Sequence, residues 1–302
     1  MLTLIVMEML MQMKKKILFF IVFVCVFCSG FLWFFLFSKP YFYCLNTQFT
    51  ASSVPTTKIK IDDKECLVEI DIGSKLPLIL SKKTLANISK KEKKEKMEWR
   101  DFKGNKYTAN TYVLHKVAIG NIFFNNVIAN EINEDYSKNT SILSYSNREV
   151  QSIGRPLFEK FKILFDCKSN KLFISNDLKK LKKKGYDIST FIRVPCKWGR
   201  TGLILEVETD LGKKRLSIDT GFTISSLRSS SEIKNTGKKY TLPIFTTRKF
   251  VIGDKDFGVF DLFLLNITSE LNELDGTLGM DFIKSHVMYI DFPAKIVYIS
   301  KE

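Results

Sequence analysis

Apolar and polar positions alternate along most of the chain from about residue 55 onward, a period-two pattern typical of β-strands. The alternation is clear in residues 58–80 and 203–227, which each contain an apolar hairpin ending in an acidic turn. It continues in residues 115–129 and 248–262, where a glycine followed by Asn or Asp separates two apolar runs and predicts a tight turn. We therefore predict a mostly β fold.

The same kinds of segment occur twice in the same order. The closing segments 152–175 and 277–300 match most closely, because Gly154 falls on Gly279 at a constant offset of 125 residues (279 − 154) and the apolar positions agree in phase. An internal repeat of this kind predicts a duplicated fold. The predicted organisation is a first half at 55–176, a basic linker at 177–190 and a second half at 191–302.

A long apolar run precedes these halves. Residues 17–38 carry no charge, and about 20 apolar residues suffice to span a bilayer as a helix. Lysines at 14–16 precede the run, and Lys39 follows it. This asymmetry predicts that residues 1–45 form a cytoplasmic stub and a transmembrane anchor, with the body outside the cytoplasm. A cleaved signal peptide is the alternative, but the run ends in aromatic rather than small residues, which favours a retained anchor.

The net charge of +15 suggests binding to nucleic acid or to an anionic membrane surface. The two lysine-rich runs, 82–96 and 179–184, lack the aromatic spacing of a base-stacking surface. We interpret them as solvated faces, so nucleic acid is not a predicted partner.

The residue inventory restricts the chemistry available to this chain. His115 and His286 are the only two histidines, and neither lies in a catalytic or metal-binding motif. The six cysteines show no metal-ligand spacing, although disulfides remain possible in an exported domain. If the protein is an enzyme, this composition predicts that it works with carboxylates.

The sequence Asp219-Thr220-Gly221 stands between apolar flanks and is followed by Leu278-Gly279 and an Ile-Asp-Phe hairpin. This combination resembles the retropepsin-like and pepsin-like aspartic protease family, and the resemblance covers residues 56–300. It implies a bilobal acid-protease-like fold of two similar β-barrel halves, in which two aspartates share a proton and activate a water. It also implies a peptide or protein substrate, no cofactor, and a monomer with pseudo-twofold symmetry.

The matching positions give a set of candidate site residues. The resemblance implies catalytic roles for Asp71 and Asp219, supporting roles in the aspartate loops for Gly73, Ser74, Thr220 and Gly221, apolar-Gly supports at Ile153, Gly154, Leu278 and Gly279, and a flap tyrosine at Tyr107 or Tyr112 within residues 99–112.

The first half departs from the family pattern. Ile72 stands where the family has Thr or Ser, so it cannot make the hydroxyl bonds that join the two aspartate loops. Lys75 would favour the ionised form of Asp71 if its ammonium lay nearby. The predicted function is a membrane-anchored aspartic endopeptidase. The alternative is a catalytically inactive relative that binds a peptide or protein in its cleft.

Overall fold

The computed structural model of the protein describes residues 16–17, 19–23, 40–49, 54–101, 103–132, 151–239 and 242–301. As predicted, β-strands dominate, and they form three sheets. The strands are β1 (Phe42–Asn46), β2 (Gln48–Phe49), β3 (Pro55–Ile61), β4 (Lys64–Asp71), β5 (Leu78–Leu80), β6 (Lys91–Arg100), β7 (Lys106–Ile119), β8 (Ile122–Glu131), β9 (Ser152–Gly154), β10 (Lys162–Asp166), β11 (Lys171–Ser175), β12 (Ile192–Pro195), β13 (Lys197–Gly199), β14 (Gly202–Thr209), β15 (Gly212–Ile218), β16 (Ser226–Arg228), β17 (Gly237–Lys239), β18 (Leu242–Thr247), β19 (Val251–Ile252), β20 (Lys255–Asp256), β21 (Phe260–Leu265), β22 (Gly276–Leu278), β23 (Met288–Asp291) and β24 (Ile296–Ile299).

The helices of the described body are short. They are α1 (Lys82–Ala86), α2 (Leu178–Lys183) and α3 (Met280–Ile283), with 3-10 turns at Arg155–Leu157, Ile188–Thr190 and Ser269–Leu271. The predicted basic linker, 177–190, thus contains α2 and a 3-10 turn. Asp177 caps α2 by accepting a hydrogen bond from the Lys180 N–H at 2.9 Å, and Leu181 is the residue of α2 that is buried.

The first half forms one sheet with the strand order β2-β3-β4-β9-β5-β8-β7-β6, and an extra pairing of β3 with β7 folds the sheet back on itself. Strands β7 and β8 meet at Gly120, whose positive φ of 57° suits glycine in the tight turn that the sequence predicts. The short strand β9 runs parallel to β4 and antiparallel to β5, so it lies between them. This insertion positions the end of β4.

The second half repeats this arrangement. Its sheet has the order β17-β18-β21-β16-β22-β15-β14-β19-β20, with β13 also paired to β14. Here β22 runs parallel to β15 and antiparallel to β16, as β9 does between β4 and β5. The turn at Gly253, with φ 64°, matches that at Gly120. The repeat in the sequence therefore corresponds to the same pattern of strand pairing in both halves.

A third sheet joins the halves, with the order β1-β11-β10-β23-β24-β12. Strands β10 and β23 pair antiparallel, and Leu164 lies opposite Tyr289, its own counterpart at the repeat offset of 125 (289 − 164). On either side, Ile163 faces Ile290 and Phe165 faces Met288. A local pseudo-twofold axis therefore passes through the Leu164–Tyr289 pair.

The start of the body differs from the predicted boundary at residue 45. Residues 42–302 form one compact unit, and β1 pairs along its length with β11. Strand β1 is part of the body because its backbone groups pair with β11 and extend the third sheet. In the sequence this strand directly follows the long apolar run, which hides its boundary. Among the described residues, no helix has both the length and the apolar character needed to cross a membrane. Within the predicted anchor, residues 17 and 19–23 are helical, and the rest of the anchor lies outside the described residues.

Candidate active site

The two candidate aspartates occupy equivalent places in the two halves. Asp71 is the last residue of β4, and Asp219 directly follows β15. Both strands are second strands of apolar hairpins, with Ile70 and Ile218 buried just before the aspartates. The parallel strands β9 and β22 support the ends of β4 and β15 from the side. Each hairpin therefore delivers its carboxyl group from a rigid, buried strand end.

The carboxyl groups of Asp71 and Asp219 meet and are joined by a side-chain hydrogen bond. The Ser74 N–H donates to Asp71 Oδ1 at 2.8 Å, and the Gly221 N–H donates to Asp219 Oδ1 at 2.8 Å. The Gly73 N–H faces both carboxyl groups and opposes the rise in the pKa of each. The structure thus brings together the two residues that the sequence pairs, with near-equivalent backbone donors on each side.

Positions 73 and 221 require glycine because there is no room for a Cβ, and not because of their backbone angles. A Cβ on Gly221 would lie 2.5 Å from Asp71 Cγ, and a Cβ on Gly73 would lie under 3.0 Å from all three terminal atoms of the Asp219 carboxyl. Real Cβ atoms essentially never approach other heavy atoms within 3.0 Å. Each half therefore uses a glycine to admit the carboxyl group of the other half.

Positions 72 and 220 are equivalent in the two halves, but only Thr220 joins the two aspartate loops through side-chain hydrogen bonds. Its fully buried hydroxyl donates to the Ile70 carbonyl at 2.6 Å and accepts from the Ile72 N–H at 3.0 Å. Ile72 is buried and has no hydroxyl with which to return these bonds. The connection between the loops is one-sided, yet both of its hydrogen bonds lie in the protein interior, where losing one costs about 1–3 kcal/mol.

The apolar-Gly pairs lie directly behind the aspartates. Ile153 and Leu278 are fully buried, and the Leu278 carbonyl accepts from the Asp219 N–H at 3.1 Å. A Cβ on Gly279 would lie 2.5 Å from the Ile224 carbonyl oxygen, and Gly154 is packed against the Leu76 carbonyl in the same way. These glycines let two backbone segments pass at contact distance, which holds each aspartate loop in place.

The second half has a polar support that sequence reasoning missed. The Ser225 hydroxyl donates to Asp281 Oδ1 at 2.6 Å and accepts from the Gly279 N–H at 2.9 Å. Asp281 also accepts from the Ser225 N–H at 2.8 Å, while burial raises the pKa of its carboxyl. Asp281 comes two residues after Gly279, in the first turn of a short buried helix. An acidic residue at that place is the sequence feature that could have indicated this support.

The two aspartates differ in their affinity for a proton. Burial, and then the charge of Asp219, raises the pKa of Asp71 well above its ordinary value. Burial also raises the pKa of Asp219, but the Gly221 N–H, the hydrogen bond from Asp71 and the positive charge of Arg155 oppose the increase. Since the pair titrates as a unit, its two carboxyl groups hold one proton between them, and Arg155 is the positive charge that acts on the Asp219 side.

Arg155 is a buried cation that sequence reasoning did not single out. It follows Gly154 directly, is 6% exposed, and pairs through Nε with Glu159 at 2.9 Å. Its guanidinium lies 5.3 Å from the centre of the Trp198 ring, which suits a cation–π contact. The buried Nη1 has no hydrogen-bond partner among the described residues. The signal in the sequence was an arginine between the apolar-Gly pair Ile153–Gly154 and the apolar residues Leu157 and Phe158.

The dyad opens onto a cavity of about 700 Å³ whose lining comes from both halves. The hairpin of β6 and β7 contributes Trp99, Arg100, Asp101 and Lys106 to its wall. Arg100 reaches the second half, where its Nη1 lies 3.3 Å from Glu270 Oε1. This hairpin is where the flap was expected, although it is longer than the predicted 99–112.

The two tyrosines proposed for the flap do not line this cavity. Tyr107 is buried, stacks on Trp99 with ring centres 4.9 Å apart, and donates a hydrogen bond to Asp101 at 3.2 Å. The Tyr112 hydroxyl donates to Glu131 at 3.3 Å. Trp99 lines the cavity instead. Strand pairing explains the difference, because Tyr107 lies opposite Trp99 in the hairpin and packs against its ring.

Other candidate chemistries find little support in the described part of the chain. There, no three His, Cys, Asp or Glu side chains gather in a way that could hold a metal ion. The four described cysteines, Cys44, Cys66, Cys167 and Cys196, are free thiols. Lys75 is exposed at the cavity rim.

The comparisons with known proteins concern the fold. The sequence matches no family model and no curated protein. The structure is similar to the crystal structure of basic 7S globulin from soybean, with a TM-score of 0.52 over 87% of this chain and 96% of that one. The two sequences are 10% identical over this match, so the likeness describes the architecture and leaves the chemistry of the dyad to be argued from its own geometry.

Proposed function

We propose that the protein is an aspartic endopeptidase of the retropepsin-like or pepsin-like kind, with a bilobal fold of two similar β-barrel halves. The observation that carries this proposal is the direct hydrogen bond between the Asp71 and Asp219 carboxyl groups at the base of a cleft formed by both halves. Two buried carboxyl groups in contact cannot both ionise cheaply, so they retain one proton between them. A retained proton beside a carboxylate provides a general acid and a general base at one place.

In the proposed reaction, a water bound between the two carboxyl groups attacks the peptide carbonyl. Asp219, the better stabilised carboxylate, takes a proton from this water as the bond to carbon forms. Asp71, the better proton holder, donates its proton to the carbonyl oxygen. The resulting diol collapses as the C–N bond breaks: the proton held by Asp219 passes to the leaving amine, and one diol hydroxyl returns a proton to Asp71. The chain's own groups supply every proton transfer in this sequence.

Arg155 would set the acidic limit of the activity. Its positive charge favours the ionised form of Asp219 and lowers the pKa of that carboxyl. In Arg155→Met this stabilisation is lost, so the pKa of the Asp219 carboxyl rises and the acidic limb of the kcat/KM profile moves to higher pH. We expect a shift of several tenths of a pH unit or more, measured as a pH–rate profile between pH 2 and 7.

A matched control for this variant is Arg200→Met, because Arg200 is an exposed cation that lines the cavity and is not a main influence on the pKa of either aspartate. Its acidic limb should stay in place. An unmoved limb in Arg155→Met, in a variant whose thermal melt shows it to be folded, would mean that Arg155 has only a packing role.

The proposal is tested by incubating the full-length chain with a reduced, unfolded protein between pH 3 and 7 and identifying the products by mass spectrometry. We expect internal cleavage at acidic to mildly acidic pH. A statine-type inhibitor, whose hydroxyl mimics the diol, should block this cleavage. If the protein binds peptides in the cleft but cuts none under any of these conditions, the alternative holds: a binding module whose dyad has lost its function, as the one-sided Thr220–Ile72 connection would allow.

We further propose that the apolar run at 17–38 anchors the enzyme in a membrane, with its body outside the cytoplasm. The motivation is the charge asymmetry around this run, three lysines before it and one after it. Protease protection of the body in sealed vesicles would check this orientation, and release of the protein by alkaline washing would contradict the anchor.

A further inference from the structure

Two exposed cations belong to the wall of the cleft, one from each half. Lys75 lies in the loop that follows Asp71, and Arg200 lies in the turn between β13 and β14. Within the described part of the chain, neither side chain forms an ion pair with a carboxylate. Arg200 Nη1 donates to the Glu270 backbone carbonyl at 3.1 Å, which occupies one of the five N–H donors of its guanidinium.

Arg155 joins the two loops that carry these cations. Its backbone N–H donates at 3.0 Å to the Ser74 carbonyl, in the peptide group that leads into Lys75. Its side chain reaches the other loop, where Nη2 donates to the Arg200 carbonyl at 3.5 Å. One buried residue therefore holds both loops, so Lys75 and Arg200 come from neighbouring segments of the two halves.

The charge of Arg155 adds to that of the two exposed cations. Arg155 is 6% exposed, so its charge is weakly screened by salt, and it opposes the rise in the pKa of Asp219 although it pairs with Glu159 at 2.9 Å. Glu273 is a second carboxyl group at these loops, and its Oε1 accepts the Arg200 backbone N–H. Three cations are thus present with two carboxyl groups, which leaves an excess of positive charge around the two loops.

The other charged groups of the wall differ from this pair. Four of them form two ion pairs, Lys106–Glu98 at 2.7 Å and Arg100–Glu270 at 3.3 Å. Asp101 accepts the N–H groups of its own turn, each at 2.9 Å, and Glu131 accepts from the Tyr112 hydroxyl at 3.3 Å. Of the four Lys and Arg residues that line the described wall, Lys75 and Arg200 are therefore the two without a carboxylate partner.

A carboxylate is the ligand group that complements these two side chains. An ammonium and a guanidinium group carry N–H donors and no acceptor, and a guanidinium can bind both oxygens of a carboxylate at once. A neutral side chain would make weaker hydrogen bonds here, and a cationic one would be repelled. Because both cations are exposed, salt screens their attraction, and the preference should weaken as ionic strength rises.

We propose that this part of the cleft selects an aspartate or glutamate residue of the substrate, whose side-chain carboxylate is bound by Lys75 and Arg200. The inference rests on the peptide-cleaving function proposed above, because it assumes that a peptide occupies the cleft. It assigns one position of the peptide to an acidic residue and makes no demand on the residues at other positions.

The test uses statine-type peptide analogues that are amidated at the C-terminus, so that the set differs in side-chain charge alone. Rhodamine-labelled analogues carry Glu or Gln at each of three positions on either side of the statine. Their affinities for the full-length chain are measured by fluorescence polarisation at pH 5.5 and low salt, where a glutamate with the ordinary pKa of about 4.3 is ionised. At one position, Glu should bind about 2- to 30-fold more tightly than Gln, the combined effect of two exposed ion pairs.

Lys75→Met and Arg200→Met should each lower this Glu-over-Gln ratio of affinities, by about 1.5- to 5-fold, and the double variant should bring it close to one. A thermal melt checks that each variant is folded, which the exposure of both side chains leads us to expect. Lys106→Met is the matched control, because it removes one positive charge from the same cavity at a lysine that is already paired with Glu98. It should keep the ratio.

Equal affinities for Glu and Gln at every position, an equal fall of the ratio in Lys106→Met, or no binding by any analogue would overturn the inference. The digestion of an unfolded protein described above decides the peptidase function separately. A Glu preference in binding without cleavage would refute the peptidase function and leave the carboxylate site in place. Cleavage together with equal affinities would refute the carboxylate site alone.

Discussion

Asp219→Asn should abolish peptide cleavage, lowering kcat/KM by at least about 10³-fold, because general acid–base catalysis contributes about 10²–10⁴-fold and this residue is its proposed base. Asparagine keeps the shape of the side chain, and its amide can take part in hydrogen bonds with Asp71. It cannot accept the proton of a water. Asp71→Asn should have an effect of similar size, because the proposed acid is then missing.

The pH dependence of folding stability provides a control for the Asp71→Asn variant. Because the pKa of Asp71 is raised above its unfolded value, the proton that it binds stabilises the folded protein at low pH, and this stabilisation is lost as the pH rises through the folded pKa. An asparagine at position 71 does not titrate. The free energy of unfolding of the Asp71→Asn variant, measured by urea denaturation at pH 4 and pH 7, should therefore vary less with pH than that of the wild type. Cleavage by either variant at a rate within 10-fold of the wild type would refute the dyad mechanism.

Gly221→Ala should reduce kcat by about 10²-fold or more while the chain still folds. The added Cβ would lie 2.5 Å from Asp71 Cγ, so the carboxyl of Asp71 or the loop of Asp219 must move by a substantial fraction of an ångström. Misplacement of a reacting group by about 1 Å is enough to cost roughly 10²-fold in rate. Gly221 does not have a positive φ, so alanine introduces no backbone strain there and the effect arises from the collision alone.

Gly237→Ala is the matched control for this variant. Its Cβ would have Ile244 Cδ1 as its nearest neighbour at 3.7 Å, which is an ordinary van der Waals contact. Both variants should show cooperative thermal unfolding, and only Gly221→Ala should lose activity. Full activity in Gly221→Ala would mean that the two carboxyl groups need not be in contact.

Much of the fold was predictable because local patterns agree with the tertiary structure. The alternating segments became β4, β14 and β15, and the Gly-Asn and Gly-Asp pairs became turns with positive φ. The offset of the closing segments predicted a duplicated β structure, and the sheet pairing of Leu164 with Tyr289 has the same offset. The strands and turns depend on near neighbours in the sequence, and the repeat is visible when the two halves of one chain are compared.

The rest depends on contacts between distant segments, which no local pattern encodes. Strand β1 pairs with β11, which lies 127 residues further along at the pair Leu45–Leu172 (172 − 45). Arg155, in the first half, affects the pKa of Asp219 in the second half. The choice of Trp99 over the tyrosines as a cavity-lining residue depends on which face of the β6–β7 hairpin turns inward. The positions of Asp71 and Asp219 at strand ends follow from local patterns, since the hairpins that carry them are defined by nearby residues.

The pairing of β10 with β23 also determines how the dyad depends on protein concentration. Both strands belong to one polypeptide, so bringing Asp71 and Asp219 together is a first-order event that does not depend on protein concentration. A first half on its own would leave the edge of β10, with its buried Ile163 and Phe165, open to solvent and able to pair with another chain. Tandem linkage thus converts what would be an assembly equilibrium into a folding reaction.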